Sequence, residues 1–174
     1  MIRKILLLLS VLILFIAVAF LLWRVSRPTE IVAVHNDNGT INILVKNFPI
    51  TSRARVEWWI ENKAILQQKY GVPELSREGI SFAVVWGFGD GYLKEEPDPD
   101  SWFPSDDTDY LRCFADMKVE ARCIKKENWQ MYIDALRNNR IGFTVSGAEY
   151  LLEPDGTVIK RPRDRAIITS SQSR

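Results

Sequence analysis

The chain has 174 residues with 23 basic and 22 acidic side chains, but its charges are unevenly spread. Arg3, Lys4, Arg24 and Arg27 precede Pro28, so 19 basic residues (23 less those four) face 22 acidic ones in the body, a net charge near −3. A body of that sign lacks the basic stripe a nucleic-acid backbone demands, and its length suits one globular domain rather than two.

The first element is the run from Ile5 to Trp23, unbroken by charge and holding one weakly polar residue, Ser10. At ~1.5 Å rise per residue it reaches across a ~30 Å hydrocarbon core, so it reads as a transmembrane helix that takes the lipid bilayer as its partner through residues 5–23. Trp23 sits where an interfacial aromatic belongs, and the four basic residues close both ends. A cleaved signal peptide is the competing reading. Ala17 to Ala19 resembles a cleavage site, but Phe20 to Trp23 continue the apolar run where a cleavage region turns polar. The flanking charges nearly balance. The very short leading tail favours a signal-anchor, with the N-terminus in the cytoplasm and the C-terminal body exported. Residues 1–27 are therefore expected to be tail and anchor, 28–165 a periplasmic domain, and 166–174 a frayed tail.

In the body, "IVAVH" and "TINILVKNF" flank a turn with Asn38-Gly39, a strong hairpin signal. A helix follows from Ser52, the expected N-cap, to Tyr70; Gly71 fits the position just past its end and Pro73 stops continuation. "ISFAVVWGF" is a further strand. "WQMYIDAL" and "RIGFTVSG" flank Asn138-Asn139, and "AEYLLEP" and "TVIKRP" flank Asp155-Gly156, which predicts two more hairpins. The fold class expected is α+β: one N-terminal transmembrane helix, then a small antiparallel β domain packed on one main helix. On that helix Val56, Trp59, Ile60, Ala64, Leu66 and Tyr70 form the stripe facing the sheet. Trp58 and Ile65 fall on the opposite side, so either a loop covers them or they form an apolar patch in solvent.

The only cysteines are Cys113 and Cys123. Export would oxidise them, which predicts a disulfide closing a short loop with Cα atoms within about 7 Å; a cytoplasmic body would keep two reduced, buried thiols. Zinc is disfavoured because His35 is the one further His or Cys available. His35 is also the sole histidine for any Ser-His-Asp or Cys-His device, and on a hairpin strand it reads as a surface or turn-supporting residue. "GFGDG" lacks the Lys-Ser/Thr of a phosphate loop and reads as a turn.

The segment "DGYLKEEPDPDSWFPSDDTDY" sets eight acidic residues against Lys94 alone. A calcium loop fails on spacing, since Trp102 and Leu111 occupy positions where oxygen ligands are needed. It reads either as a solvated loop or as an acidic docking loop in which Trp102 and Phe103 are anchors and Asp98, Asp100, Asp106 and Asp107 supply charge.

"EIVAVHNDNGTINILVKNFPIT", "WWIENKAILQQKYGVP", "WGFGDGYL", "RCFADMK" and "RCIKK", in this order behind the anchor, resemble the enterobacterial putative membrane protein family, domain of unknown function 943. The resemblance implies a single-span inner-membrane protein and, more loosely, a toxin-immunity role. It transfers no catalytic residue, and the acidic segment from Pro97 to Asp109 departs from it as an insertion. The functional expectation is a protein-binding periplasmic domain, with no cofactor, no metal and no enzymatic activity. Its docking surface would be Trp58, Ile65 and the acidic segment, and its partner a basic protein such as a toxin domain. An envelope enzyme or ligand-binding domain acting on lipid or cell-wall material is the alternative.

Overall fold

The computed structural model describes residues 2–25, 27–37, 39–99, 102 and 106–162. The expected tail 166–174 lies outside the described residues. Helix α1 is Ile2–Val25, and the body begins with strands β1 (Glu30–Asp37) and β2 (Thr40–Lys46). Helix α2 (Ser52–Tyr70) and β3 (Phe82–Gly87) follow. Three short strands come next, β4 (Leu93–Lys94), β5 (Leu111–Cys113) and β6 (Ala121–Lys125). The chain closes with β7 (Trp129–Ala135), β8 (Ile141–Val145), β9 (Ala148–Leu152) and β10 (Val158–Arg161).

Among the described residues no helix is long and apolar enough to cross a membrane. The described side chains of α1 are Lys4, Leu9 and those from Val11 to Phe20, so the expected span 5–23 falls in part outside them. Six consecutive residues, Val11, Leu12, Ile13, Leu14, Phe15 and Ile16, are each more than half exposed. Six in a row cover every side of a helix, so this stretch has no polar face to offer water.

Seven strands form one sheet in the order β1-β2-β3-β7-β8-β9-β10, and three form a second in the order β4-β6-β5. All neighbours are antiparallel except β2 and β3, which pair in parallel from Thr40↔Phe82 to Val45↔Gly87. The wholly antiparallel expectation is corrected here. A helix between two strands carries the chain back to the starting end, so the second strand runs in the same direction as the first. The predicted hairpins form: β1 and β2 pair through Asp37↔Thr40, β7 and β8 through Ala135↔Ile141, and β9 and β10 through Leu152↔Val158. Asn138 and Asn139 take the left-handed conformation that the β7–β8 turn requires. A fourth hairpin, β8 to β9, turns on Ser146-Gly147, both at positive φ.

Helix α2 begins one residue earlier than expected. Thr51 rather than Ser52 is the N-cap, its hydroxyl accepting from the Ala54 N–H at 3.3 Å. At the other end Gly71, at φ 65°, donates its N–H to the Gln67 carbonyl.

The large sheet buries both faces. Ile41, Ile43, Val45, Ala83 and Val85 pack with Val56, Trp59 and Leu66 of α2 on one side. Their alternates Leu44, Val84 and Trp86 pack with Phe114 and Ile124 from the small sheet on the other. This explains why "INILV" and "FAVVW" are nearly continuous apolar runs, as central strands covered on both sides must be. The body is thus three layers, α2, the large sheet and the small sheet, instead of one sheet on one helix.

Candidate functional site

The small sheet is inserted between β3 and β7, and its seam with the large sheet gathers polar side chains from distant parts of the chain. His35 on β1 is buried. Its Nδ1 lies 3.0 Å from both carboxylate oxygens of Asp116, its Nε2 lies 2.7 Å from the Tyr92 hydroxyl, and its ring stacks on Phe114 at 4.2 Å. A carboxylate only accepts, so Nδ1–H donates to Asp116; in the neutral imidazole Nε2 accepts from the Tyr92 O–H. Burial first, then the charge of Asp116, pushes the Tyr92 hydroxyl above its usual pKa range. That is the wrong direction for a nucleophile or base, and both imidazole nitrogens are engaged by their neighbours. The row behaves as a clasp between sheets. Arg112 on β5 adds a second, its guanidinium donating to Asp37 of β1 at 2.8 Å. Beneath them Trp86 Nε1 donates to the buried Asn42 side chain at 2.9 Å.

Cys113 and Cys123 are register partners across β5 and β6 and form the predicted disulfide, with Cα atoms 3.9 Å apart. The Glu95 carboxylate lies within 4.8 Å of the two sulfurs. Sulfurs bonded to each other offer no thiolate to a metal, so this trio is not a metal site.

The acidic segment runs from the end of β4 to the start of β5, and both its feet are fixed to the small sheet. Glu95 accepts from Arg122 at 2.7 Å, Lys94 pairs with Glu120 at 2.8 Å, and the Tyr110 hydroxyl donates to the Glu96 carbonyl at 3.1 Å. Asp107 accepts from the Asp109 N–H at 2.7 Å. Between the feet Trp102 is 91% exposed, and Asp106 and Asp107 are exposed while Asp98 is half-buried. Asp100 and Phe103 lie outside the described residues.

Two members of the expected docking surface separate here. Trp58 is buried, its ring meeting Phe48 edge-on at 5.0 Å. The helical wheel placed it opposite the sheet, but the β2–α2 connection folds Phe48 over that side and completes the core around it. Trp58 is therefore not an exposed anchor. Ile65 stays 49% exposed and stands without it. The His35, Tyr92 and Asp116 row was not foreseen. Its members are 57 and 81 residues from His35 in sequence, and the single histidine was its only local sign.

Fold and seam together define the class: an α+β body of two stacked sheets, the smaller stapled by a disulfide, following a leading apolar helix. The chain belongs to the family described as enterobacterial putative membrane protein, domain of unknown function 943, which matches residues 2–162. The resemblance carried by "VKNFP" and "WWIENK" is thus membership. No curated protein and no solved structure matches the chain.

Proposed function

We propose that the chain is a single-pass inner-membrane protein whose periplasmic body captures a basic protein, such as a toxin domain, through the acidic loop. The anchor reading is supported by the uncharged run from Ile5 to Trp23 and by the apolar side chains from Val11 to Ile16, exposed on every side of α1 over that stretch. The disulfide supports an oxidising compartment.

The observation that carries the binding role is Trp102. A tryptophan 91% exposed, in a segment whose feet are pinned by ion pairs to a disulfide-bonded sheet, offers a large anchor to a partner. Acidic residues on both sides of it would steer a cationic partner and repel anionic lipid and nucleic acid.

The test places a photo-cross-linker at position 102 of the full-length chain in cells and identifies the adduct. Asp98, Asp106 and Asp107 are then neutralised to Asn, and Trp102 is separately changed to Ser. The reading expects a basic adduct whose association slows in the neutralised variant in a salt-dependent way, and faster dissociation in Trp102→Ser. Wild-type capture by both folded variants would refute it. Alkaline phosphatase fused to the C-terminus should be active; an inactive fusion would place the body in the cytoplasm.

A further inference from the structure

We infer that the body rests on the bilayer that α1 enters, seating a phospholipid headgroup in a groove at the anchored end of the large sheet. This rests on the anchor reading of α1 proposed above and adds a second, peripheral contact with the same membrane. The chain leaves α1 at Val25, and four residues on the Thr29 hydroxyl donates to the Asn47 carbonyl at 3.1 Å. Four residues of fully extended chain span at most about 14 Å, so that bond ties the β2–α2 connection close to where α1 ends. Register places the rest of this end. Glu30 pairs with Lys46 and Val45 with Gly87, so β1 starts where β2 and β3 finish, and α2 departs from the same end at Ser52.

Between the β2–α2 and β3–β4 connections lies an open groove of about 390 Å³, whose walls include Lys46, Phe48, Gly87, Phe88, Gly89 and Gln130. Among the described residues Lys46 is the one charged side chain that lines it. Its ammonium stands 5.2 Å over the Phe88 ring and has no ion pair among the described residues. Gly89, at φ 54°, keeps its wall bare, since a Cβ there would meet the Asn128 amide at 2.6 Å. A lone cation between two phenyl rings, with no acid in the groove to compete for it, suits a phosphodiester at the ammonium and the glycerol and upper acyl carbons along the rings.

Two residues beyond Phe48, Ile50 is 74% exposed. Single exposed apolar side chains are common, but this one is held out on a fixed connection at the end nearest α1. Arg55 donates to the Pro49 carbonyl at 2.7 Å, to the Gln130 carbonyl at 3.1 Å and to the Ser146 hydroxyl at 3.1 Å. The connection is thereby tied to β7 and to the β8–β9 turn instead of folding back over its own isoleucine. At the anchored end such a side chain meets the boundary between headgroups and acyl chains, where apolar groups insert. One lysine and one isoleucine would not hold a free protein on a membrane. Behind a short tether the contact is intramolecular, and weak contributions suffice.

The test uses the full-length chain in nanodiscs of phosphatidylglycerol and phosphatidylcholine, with one cysteine introduced at a time and labelled with an environment-sensitive fluorophore. Both native cysteines are held in the disulfide, so the introduced thiol is the one that reacts. Nitroxide lipids, labelled at the headgroup or at mid-chain, serve as quenchers. Phe15→Cys reports the anchor and Ile50→Cys the groove's end, while Ile65→Cys, about 20 Å along α2 from Ser52, is the exposed control. The mid-chain nitroxide should quench position 15, the headgroup nitroxide position 50, and neither position 65. In the position-50 chain Lys46→Gln should lower the ratio of docked to undocked body about fivefold, and Lys46→Arg should preserve it. Quenching at 15 with none at 50 would overturn the inference and leave the anchor reading standing; no quenching at 15 would remove both. Equal quenching at 50 and 65 would also overturn it, as would a Lys46→Gln chain that docks like its parent. Cross-linking at Trp102 reads a separate surface, so its result stands apart from this one.

Discussion

Removing the disulfide is the sharpest perturbation of the small sheet, and its cost follows from the chain length it closes. Cys113 and Cys123 are separated by 10 residues. In the chain-entropy description, closing that loop removes roughly 9 cal/mol/K from the unfolded chain, about 2.7 kcal/mol at 25 °C. Because the two cysteines already face each other in register across β5 and β6, Cys113→Ala with Cys123→Ala leaves the native pairing in place. The loss is then felt mainly in the unfolded state. A change of about 2.7 kcal/mol shifts the folding equilibrium roughly a hundredfold and should lower a urea midpoint by about 1 to 2 M. The assay is urea unfolding of the full-length chain in nanodiscs, followed by tryptophan fluorescence, with and without a thiol reductant. Reductant should lower the wild-type midpoint to that of the double variant and leave the double variant unmoved. A wild-type midpoint insensitive to reductant would refute the reasoning, and so would free-thiol labelling of the untreated protein.

Four further outcomes follow from the packing. Trp58→Ala should cost about 3 to 5 kcal/mol, as truncation of a buried aromatic does, while Ile65→Ser should stay within about 0.5 kcal/mol; equal effects in chemical denaturation would contradict the burial difference. A Cβ added at Gly142 would meet the Asp134 Oδ1 at 2.6 Å, the movable end of a side chain, so Gly142→Ala should displace that carboxylate at a cost under about 1 kcal/mol, and Asp134→Ala in the same chain should remove the cost. Asp134 also sets a pH dependence. Burial first, then Glu149, raise its carboxyl pKa against its own backbone hydrogen bond and Arg161. A raised folded-state value means the folded chain holds the proton more tightly than the unfolded one. Its contribution to stability is therefore present below about pH 4, the unfolded value, and is lost as pH rises through the folded value. Asp134→Asn should accordingly melt higher than wild type at pH 7, with the gap closing towards pH 3; a gap that widens on acidification would reverse the sign. Finally, a double-mutant cycle between His35→Phe and Asp116→Ala should give a coupling of about 1 kcal/mol, held down because the Asp116 side chain is 39% exposed. A coupling near zero in denaturation would mean the clasp is not formed.

Much of the large sheet was legible because its signals are local. Asn138-Asn139 and Asp155-Gly156 are turn chemistry read from two residues, and the end of α2 follows from Gly71 and Pro73, while its start was read one residue late at Ser52. The β8–β9 hairpin escaped because Ser146-Gly147 sits inside what reads as one continuous strand pattern. The small sheet escaped for a different reason. Its strands are two, three and five residues long, too short for any period to emerge, and they are held by the disulfide and by Phe114 and Ile124 against Leu44 and Val84. The parallel pairing of β2 with β3 was implicit in a strand, helix, strand order, but the abundance of hairpin turns outweighed it. Of the docking surface, Trp102 is 91% exposed. Trp58 takes the loop-covered alternative and Ile65 the exposed one, a choice a wheel projection cannot make because it gives the side of a helix and nothing of the loop that returns across it. The seam around His35 had no sequence signature, since its contacts are made by tertiary folding alone.

The connection between β3 and β7 has a consequence for how this architecture can change. Those strands are immediate neighbours, with Trp86 and Trp129 as register partners, yet the whole of the small sheet lies between them in the chain. Departure and return points are therefore adjacent, as in a cassette plugged into a hairpin. Such a cassette can be exchanged, lengthened or retuned without disturbing the order of the seven strands, provided whatever replaces it brings apolar groups to cover Leu44, Val84 and Trp86. The acidic segment is nested within that cassette in the same way, leaving β4 and returning at β5 on either side of β6. Change is thus most easily accommodated in the outermost loop, where charge and length can vary while the scaffold beneath keeps its shape.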